Sequence, residues 1–444
     1  MRPTLTQPSA PPPAATAHLR AAWERAEALC VKCGFCLPAC PTYRETGVEA
    51  SSPRGRLDLM YAAADGRLSL QDVEPQLSFC LGCQACETAC PSGIRFHEML
   101  EAGRRDAAAR RTGGGAGAWL GRFALARLLT SPPRLRLLVW ALAAYQRLGL
   151  QALVRATGLP RALAPRLARL EAALPPLGWP RRWRQALTRE PVAAGGGADR
   201  PAAVELLAGC VMDAAFGEVH AATVRVLARN GIRTVVPAGQ TCCGALHAHA
   251  GESALAQALA RRNIAANEAA GEPLLIVNSA GCGAALKAYG ALLGDDPAWA
   301  ERAHRYAARV RDVCEFLADI LLAPPTHRLG LKVAYDDPCH LLHAQKIRDQ
   351  PRRVLAQVPG LELVTLREAD MCCGSAGSYS LTQPEMSARL LARKLDHIAA
   401  SGAQVVATGN PGCLLQLRLG ARQRGWALRV AHPVELLAEA YGAE

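Results

Sequence analysis

The chain has 444 residues, half of them hydrophobic, with 17 cysteines and a formal net charge of +13. This length favours two or three domains over one compact domain. No apolar stretch follows Met1 and Arg2, so we expect no signal peptide, and the cysteines then indicate a reducing cytosol rather than a disulfide-rich secreted protein.

Residues 1–20 are expected to form a disordered tail. They are rich in Pro, Ala and Thr and lack hydrophobic periodicity, so they bury too little apolar surface to become ordered.

Residues 21–105 contain two runs of four cysteines with one spacing, C-x2-C-x2-C-x3-C-P. The first run is Cys30, Cys33, Cys36 and Cys40, and the second is Cys80, Cys83, Cys86 and Cys90. This spacing is the ligand signature of a two-cluster bacterial ferredoxin, in which the fourth cysteine of each run binds the other cluster. It therefore predicts a helical, ferredoxin-like domain that transfers single electrons.

The predicted ligand sets are interlocked. One 4Fe-4S cluster is assigned to Cys30, Cys33, Cys36 and Cys90, and the second to Cys80, Cys83, Cys86 and Cys40. Structural zinc and disulfides are the alternatives. Zinc motifs, however, use two cysteine pairs rather than a triplet and a single cysteine, and a proline after the fourth cysteine has no role in them.

Residues 106–200 are predicted to be a basic helical linker. Residues 101–200 hold 18 Arg and 5 acidic residues, an excess equal to the whole net charge of +13. Helical periodicity covers Leu120 to Leu129, Leu135 to Val154 and Ala162 to Leu174. The uncharged stretch Leu137 to Gln146 is too short to span a bilayer. A core or subunit-interface helix is favoured there over an amphipathic surface helix. The basic segment could contact anionic lipid or an acidic subunit, whereas no nucleic-acid motif is present.

The C-terminal half contains a repeat. In residues 201–325, Cys210 is followed after 31 residues by Cys242-Cys243-Gly244 and after another 38 by Cys282. In residues 326–444 the intervals between Cys339, Cys372-Cys373-Gly374 and Cys413 are 32 and 39 residues. Two such domains in tandem are therefore predicted.

Each repeat alternates short β-rich runs with helical runs, which predicts a parallel α/β layer. The fold class is thus α+β with α/β parts. The cysteines fall at or just beyond strand ends, where open α/β sheets bind ligands. The predicted strands are Val204–Leu207, Arg233–Val236, Leu274–Val277, Lys332–Tyr335, Leu361–Leu366 and Gln404–Thr408.

Most of the chain resembles the iron-sulfur subunit of bacterial glycolate oxidase and the wider group with paired CCG domains. The resemblance rests on both cysteine runs, on Ser52-Pro-Arg-Gly-Arg56, on both Cys-Cys-Gly repeats, and on Asn278-Ser-Ala-Gly-Cys282 and Asn410-Pro-Gly-Cys413. These local sequences fit the glycolate oxidase branch better than the glycerol-3-phosphate dehydrogenase or heterodisulfide reductase branches.

The resemblance implies an electron-transfer subunit with no catalytic residues of its own. Partner flavoprotein subunits would oxidise glycolate to glyoxylate, and this chain would pass the electrons to a quinone-type acceptor. It would be cytoplasmic and peripheral on the inner face of the membrane. The alternatives are the equivalent subunit of a lactate or glycerol-3-phosphate oxidising complex, and a disulfide or quinone reductase acting at the CCG domains.

One departure concerns the CCG cysteines. Heterodisulfide reductase domains end each repeat with a C-x2-C pair and hold an extra cluster, whereas Ser279 and Asn410 occupy the earlier position here. Three roles remain open: a further iron-sulfur cluster, a redox dithiol, or a structural role. The cysteines concerned are Cys210, Cys242, Cys243, Cys282, Cys339, Cys372, Cys373 and Cys413.

Two further residue types carry weaker signals. His340, beside Cys339, could donate a hydrogen bond to sulfur or relay a proton. Cys314 lies outside the repeat pattern and is predicted to be a buried small hydrophobe.

Overall fold

The computed structural model describes residues 17–27, 29–110, 121, 123–157, 171, 174, 177, 183–193, 201–320 and 323–442. Helices dominate, and the strands form two small parallel sheets, which confirms the predicted α+β class. The chain divides into two compact units, one of residues 1–119 with 246–254 and one of residues 120–245 with 255–444. The five-part division and its boundaries stay a prediction.

The first unit is helical. Its described helices are Ala17–Glu27, Pro41–Thr46, Pro53–Ala64, Leu70–Ser78, Ala85–Thr88 and Phe96–Ala109, with a 3-10 turn at Glu49–Ser51. Ser52 caps the helix Pro53–Ala64 by accepting a hydrogen bond from the Gly55 amide, and Pro53 occupies its first turn. Serine and proline are common at these two positions of a helix. The first helix already begins at Ala17, inside the predicted tail, while residues 1–16 lie outside the described residues.

Segment 246–254 belongs to this first unit although it follows the first Cys-Cys-Gly in the chain. Arg105 Nε donates a hydrogen bond to Ser253 Oγ at 2.9 Å, and His249 Nδ1 lies 3.3 Å from Glu101 Oε1. A Cβ atom on Gly251 would lie 2.4 Å from the Arg104 carbonyl oxygen. The segment therefore packs backbone against backbone on the helix Phe96–Ala109.

The second unit contains two parallel sheets with the same topology. The first has β1 (Ala203–Leu206), β2 (Arg233–Val235), β3 (Leu275–Val277) and β4 (Val310–Asp312) in the order β2-β1-β3-β4. The second has β5 (Lys332–Tyr335), β6 (Glu362–Val364), β7 (Val405–Ala407) and β8 (Arg429–Ala431) in the order β6-β5-β7-β8. The six predicted strands are present, whereas the edge strands β4 and β8 were not predicted.

Crossover helices connect these strands. In and around the first sheet they are Val211–Ala215, Gly217–Arg229, Ser253–Ala269, Ala280–Lys287, Tyr289–Leu292, Ala300–Ala308 and Val313–Asp319. The short helix Ala245–His249 lies almost wholly in segment 246–254 of the first unit. Around the second they are a π-helix at His340–Ala344 and the α-helices Gln350–Leu355, Tyr379–Thr382, Pro384–Ser401, Pro411–Gln423 and Pro433–Ala440.

One hydrophobic core runs through both repeats. Leu227 and Phe216 from the first repeat share a buried cluster with Val434 and Leu437 from the second. At its edge, the Tyr441 hydroxyl donates to the Ala323 carbonyl oxygen at 2.8 Å and accepts from Asn230 Nδ2 at 3.2 Å. The two repeats therefore fold against each other rather than as separate bodies.

The described part of the linker includes a π-helix at Ala124–Leu129 and two α-helices, Pro132–Arg147 and Leu150–Thr157, with a 3-10 turn at Trp183–Gln185 and a short helix Ala186–Arg189. The predicted single helix of 135–154 is wrong, because the chain bends at Gly149, where φ is +74°. The predicted helix over 162–174 lies mostly outside the described residues.

The helix Pro132–Arg147 has two apolar faces. Leu135, Val139 and Ala143 are buried, whereas Leu137 and Trp140 are 68% and 53% exposed. The core-helix interpretation therefore holds for one face only. Among the described helices none is long and apolar enough to cross a bilayer alone, although Pro132–Arg147 and Leu150–Thr157, bent by 68°, have the length and composition for it as a pair.

Candidate functional site

The eight cysteines of the first unit line two cavities. The first cavity is lined by Cys30, Cys33, Cys36 and Cys90, and Cys86 also reaches it. The second cavity is lined by Cys40, Cys80, Cys83 and Cys86. The structure thus brings together three cysteines of one run and the fourth of the other around each cavity.

Left-handed backbone at matching positions makes the thiols of each run converge. Lys32 and Gly34 have φ of +55° and +84°, and Gly82 and Gln84, at the same positions in the second run, have φ of +65° and +63°. Such residues reverse the chain between consecutive cysteines. The side chains of each triplet are therefore turned toward one point instead of alternating outward.

The two cavities differ in solvent access. Cys33 in the first cavity is exposed, while Cys30, Cys36 and Cys90 are partly exposed. In the second cavity Cys40, Cys83 and Cys86 are buried. The second cavity is consequently the less hydrated of the two.

Electrostatics within each set disfavour four free thiolates. Burial raises the pKa of Cys36, and the neighbouring Cys30 and Cys90 add to the rise. Burial also raises the pKa of Cys86 well above its usual value, with contributions from Cys83, Cys80 and Cys40. Bound iron supplies the positive charge that allows such thiols to ionise together.

The donor set at each cavity fits a 4Fe-4S cluster, because four thiols surround a space wider than one ion. Among the described residues, no group of three or more His, Cys, Asp or Glu side chains is arranged to hold a single metal ion. A buried arginine, Arg56, also lines the second cavity. No hydrophobic pattern in the sequence predicted that this residue would be buried.

The CCG cysteines form close thiol pairs at the carboxyl ends of the strands. The Sγ–Sγ distances are 3.3 Å for Cys210–Cys242, 3.2 Å for Cys243–Cys282 and 3.3 Å for Cys373–Cys413. Cys339 is hydrogen-bonded to Cys372. All eight are free cysteines. Each repeat thus gathers its four thiols into one cluster, as their positions beyond the strand ends predict.

The strand-end loops of the two repeats lie against each other. The Ala280 amide donates to the Gly409 carbonyl oxygen at 3.0 Å, and the Gly281 amide donates to Asn410 Oδ1 at 3.1 Å. Asn410 Nδ2 also donates to Cys413 Sγ at 3.7 Å. The residue that replaces a cysteine of the C-x2-C pair therefore contacts both the neighbouring repeat and a thiol.

The two thiol clusters differ in the charge beside them. In the second repeat Lys394, 1% exposed, lies 2.8 Å from Asp336 Oδ1 and donates to the Glu368 and Ala369 carbonyl oxygens. In the first repeat the equivalent helix carries the neutral Asn263, which donates to the Cys242 carbonyl oxygen and to Tyr289.

This difference appears in the thiol acidities. Hydrogen bonding between thiols, followed by burial, raises the pKa of Cys210, Cys243, Cys372 and Cys413 well above the usual value. Hydrogen bonds to Cys372 and Cys413 lower the pKa of Cys373 well below it, and the charge of Lys394 contributes.

The glycine of each Cys-Cys-Gly is required by the backbone. Gly244 and Gly374 have φ of +82° and +85°. A Cβ on Gly374 would lie 2.7 Å from the Ser387 carbonyl oxygen, and one on Gly244 would lie 3.3 Å from Ala256. The tight turns place the paired cysteines against the helices Ser253–Ala269 and Pro384–Ser401, which contain Ala256 and Ser387.

The remaining predicted residues are placed as follows. Cys314 lies buried in the core shared by the repeats, where burial raises the pKa of its thiol. His340 lies in the strand-end region of the second repeat, with its Nδ1 3.7 Å from the position of a Cβ on Gly281. Its role as a donor to sulfur or as a proton relay stays a prediction.

Comparison with known proteins identifies the family. Residues 28–94 match a 4Fe-4S dicluster domain, residues 204–287 and 333–418 match the CCG cysteine-rich domain, and residues 116–174 match the linker region of the glycolate oxidase iron-sulfur subunit. The chain is 38% identical over 423 residues to a probable glycolate oxidase iron-sulfur subunit of Bacillus subtilis, covering 93% of this chain and 94% of the relative.

The chain belongs to the glycolate oxidase iron-sulfur subunit family. The Escherichia coli glycolate oxidase iron-sulfur subunit is 32% identical over 94% of each chain. Lactate utilization protein A of an Exiguobacterium strain is 30% identical over 53% of this chain and 97% of its own length. The protein is thus an iron-sulfur component of an oxidoreductase complex.

The turn at Gly374 can be tested by stability. We expect Gly374→Ala to lower the free energy of unfolding by about 1–3 kcal/mol more than Gly402→Ala. Both glycines have positive φ, but a Cβ on Gly402 meets nothing within 4 Å, so the control isolates the clash with Ser387. Urea unfolding of both variants measures the difference, and equal losses would refute the close approach.

The buried pair of Lys394 and Asp336 gives a second expectation. Lys394→Met should cost about 3–5 kcal/mol, because it leaves the Asp336 carboxylate buried without its cation. Replacing both residues, in Lys394→Met with Asp336→Leu, should recover most of that loss. Lys332→Met, at a half-exposed lysine, is the control with little expected effect. A double variant as unstable as Lys394→Met would contradict the pairing.

Proposed function

We propose that the chain is the electron-transfer subunit of a glycolate-oxidising complex and holds two 4Fe-4S clusters. One would be bound by Cys30, Cys33, Cys36 and Cys90 and the other by Cys80, Cys83, Cys86 and Cys40. The observation that carries this proposal is the interlocked set of thiols around each cavity. A cluster of this type accepts and releases one electron at a time.

The two cavities have different roles in the proposal. Cys33 is exposed in the first cavity, and Val31 and Phe35 beside it are 69% and 62% exposed. An apolar, accessible edge suits contact with a partner flavoprotein that oxidises glycolate to glyoxylate. Electrons would then continue to a quinone-type acceptor. Cys86, which reaches both cavities, keeps the two sets adjacent.

The CCG thiols of the second repeat are proposed to form a redox-active site. Support comes from the close pairs of sulfurs and from the lowered pKa of Cys373. A further iron-sulfur cluster and a dithiol remain the two forms such a site could take. Activity of the isolated chain toward a disulfide or quinone would favour the standalone reductase alternative.

A second substrate deserves a direct comparison, because lactate utilization protein A resembles about half of this chain. The co-purified complex, assayed with glycolate and with lactate, separates the two proposals. A higher kcat/KM for glycolate supports the first, and a higher value for lactate replaces it.

Peripheral attachment to the cytoplasmic membrane is proposed for the linker helices. Leu137, Trp140 and Leu153 are exposed, and the surrounding residues carry the excess of arginine. Exposed apolar side chains, an interfacial Trp and positive charge together favour an anionic lipid surface.

Metal content tests the clusters. We expect anaerobically purified chain to contain about eight irons and eight acid-labile sulfides, and to show a reducible paramagnetic signal. Cys40→Ser and Cys90→Ser should each alter a different cluster, whereas Cys314→Ser should leave the iron content unchanged. Zinc in place of iron, or about four irons per chain, would overturn the assignment of two clusters.

Vesicle flotation tests the membrane proposal. The full chain without partners should bind vesicles that contain phosphatidylglycerol and be released by high salt, since screening weakens attraction between exposed charges and lipid. Leu137→Gln with Leu153→Gln should reduce binding at least about tenfold, because both side chains would leave the acyl boundary. Leu381→Gln, at an exposed leucine of the second repeat, is the matched control. If binding requires the flavoprotein instead, the surface is a subunit contact.

A further inference from the structure

Arg56 is a buried cation at the second cavity. It is 1% exposed and lines this cavity with Cys40, Cys80 and Cys83. Its Nη1 points toward Cys40 Sγ at 3.9 Å. The rest of the guanidinium is fixed by two further hydrogen bonds, from Nη2 to Thr42 Oγ1 at 3.0 Å and from Nε to the Gln76 carbonyl oxygen at 2.9 Å.

None of these hydrogen-bond partners, among the described residues, is a carboxylate. A guanidinium removed from water without an anion is costly, and buried arginines are therefore normally paired. In the part of the chain that the structure describes, no Asp or Glu lines the second cavity with Arg56. The cysteines are therefore the residues of this lining that can carry negative charge beside it.

The first cavity is lined by an arginine of a different kind. Arg54 is 30% exposed, and its Nε donates to Glu49 Oε1 at 2.8 Å. This hydrogen bond lowers the pKa of Glu49, so the carboxylate is ionised and neutralises the guanidinium. Solvent further weakens the field of Arg54 at the first cavity.

We propose that Arg56 sets the reduction potential of the second cluster above that of the first. The inference rests on the proposed pair of 4Fe-4S clusters. Reduction adds one electron, and hence one negative charge, and a buried positive charge beside a ligand sulfur stabilises the reduced form. When an electron passes from the first cluster to the second, the first cluster is oxidised and the second is reduced. The higher potential of the second cluster keeps the electron there.

The test is a redox titration of the anaerobically loaded full chain followed by electron paramagnetic resonance. Arg56→Met removes the charge at similar length, Arg56→Lys keeps it, and Arg54→Met is the matched control at the first cavity. The spectrum of Cys40→Ser identifies the signal of the second cluster, because it alters a ligand of that cluster alone. Iron content is measured for every variant.

At a fixed potential, Arg56→Met should lower the ratio of reduced to oxidised second cluster at least about tenfold, a fall of about 59 mV for one electron. The first cluster should change less than about twofold, and Arg56→Lys should retain most of the wild-type ratio. Arg54→Met should shift either cluster less than about threefold. An unchanged ratio in fully loaded Arg56→Met overturns the inference.

Loss of iron is also informative. If Arg56→Met loses about four irons while Arg56→Lys retains them, the titration is made on Arg56→Gln, where a ratio unchanged from wild type overturns the inference and a fall of at least about tenfold supports it. Equal loss in both variants shows that the shape of arginine, not its charge, is needed, and overturns it. A wild-type chain without two clusters refutes the proposed function instead, so the two failures are distinguishable.

Discussion

The structure depends on bringing sulfur atoms together where water is scarce. Thiolates repel one another, and burial raises the pKa of Cys36 and Cys86. Left-handed residues at matching positions in both runs nevertheless turn the cysteines inward. Backbone geometry thus imposes a convergence that electrostatics alone oppose, and iron bound there would supply the positive charge that stabilises it.

The two CCG repeats differ in the groups that lie beside their clustered thiols. In the first repeat the neutral Asn263 donates to the Cys242 carbonyl oxygen, whereas in the second Lys394 and Asp336 lie beside the sulfurs. A buried ion pair contributes little net stability compared with apolar residues. The pair gives the second repeat a buried cation that the equivalent helix of the first repeat, with Asn263, does not have.

Sequence predicted the features that depend on local spacing. The cysteine runs and the six predicted strands follow from patterns within a few residues of one another, and the repeat follows from matching intervals between cysteines. The edge strands β4 and β8 were missed: each has three residues and includes an arginine, but so does the predicted β2, so local composition does not decide which short runs pair. The bend at Gly149 was missed because a single glycine is tolerated in a helical pattern. Arg56 and Lys394 could not be assigned, because burial of a cation depends on residues distant in the chain.

Segment 246–254 makes the first unit discontinuous in sequence. Its backbone lies so close to the helix Phe96–Ala109 that Gly251 has no room for a side chain. A fragment that ends after the helix Phe96–Ala109 would lack segment 246–254, so Glu101 and Arg105 would lose their contacts with His249 and Ser253. Ferredoxin-like units of this kind are therefore poor candidates for transplantation as modules, because part of their surface is encoded more than a hundred residues downstream.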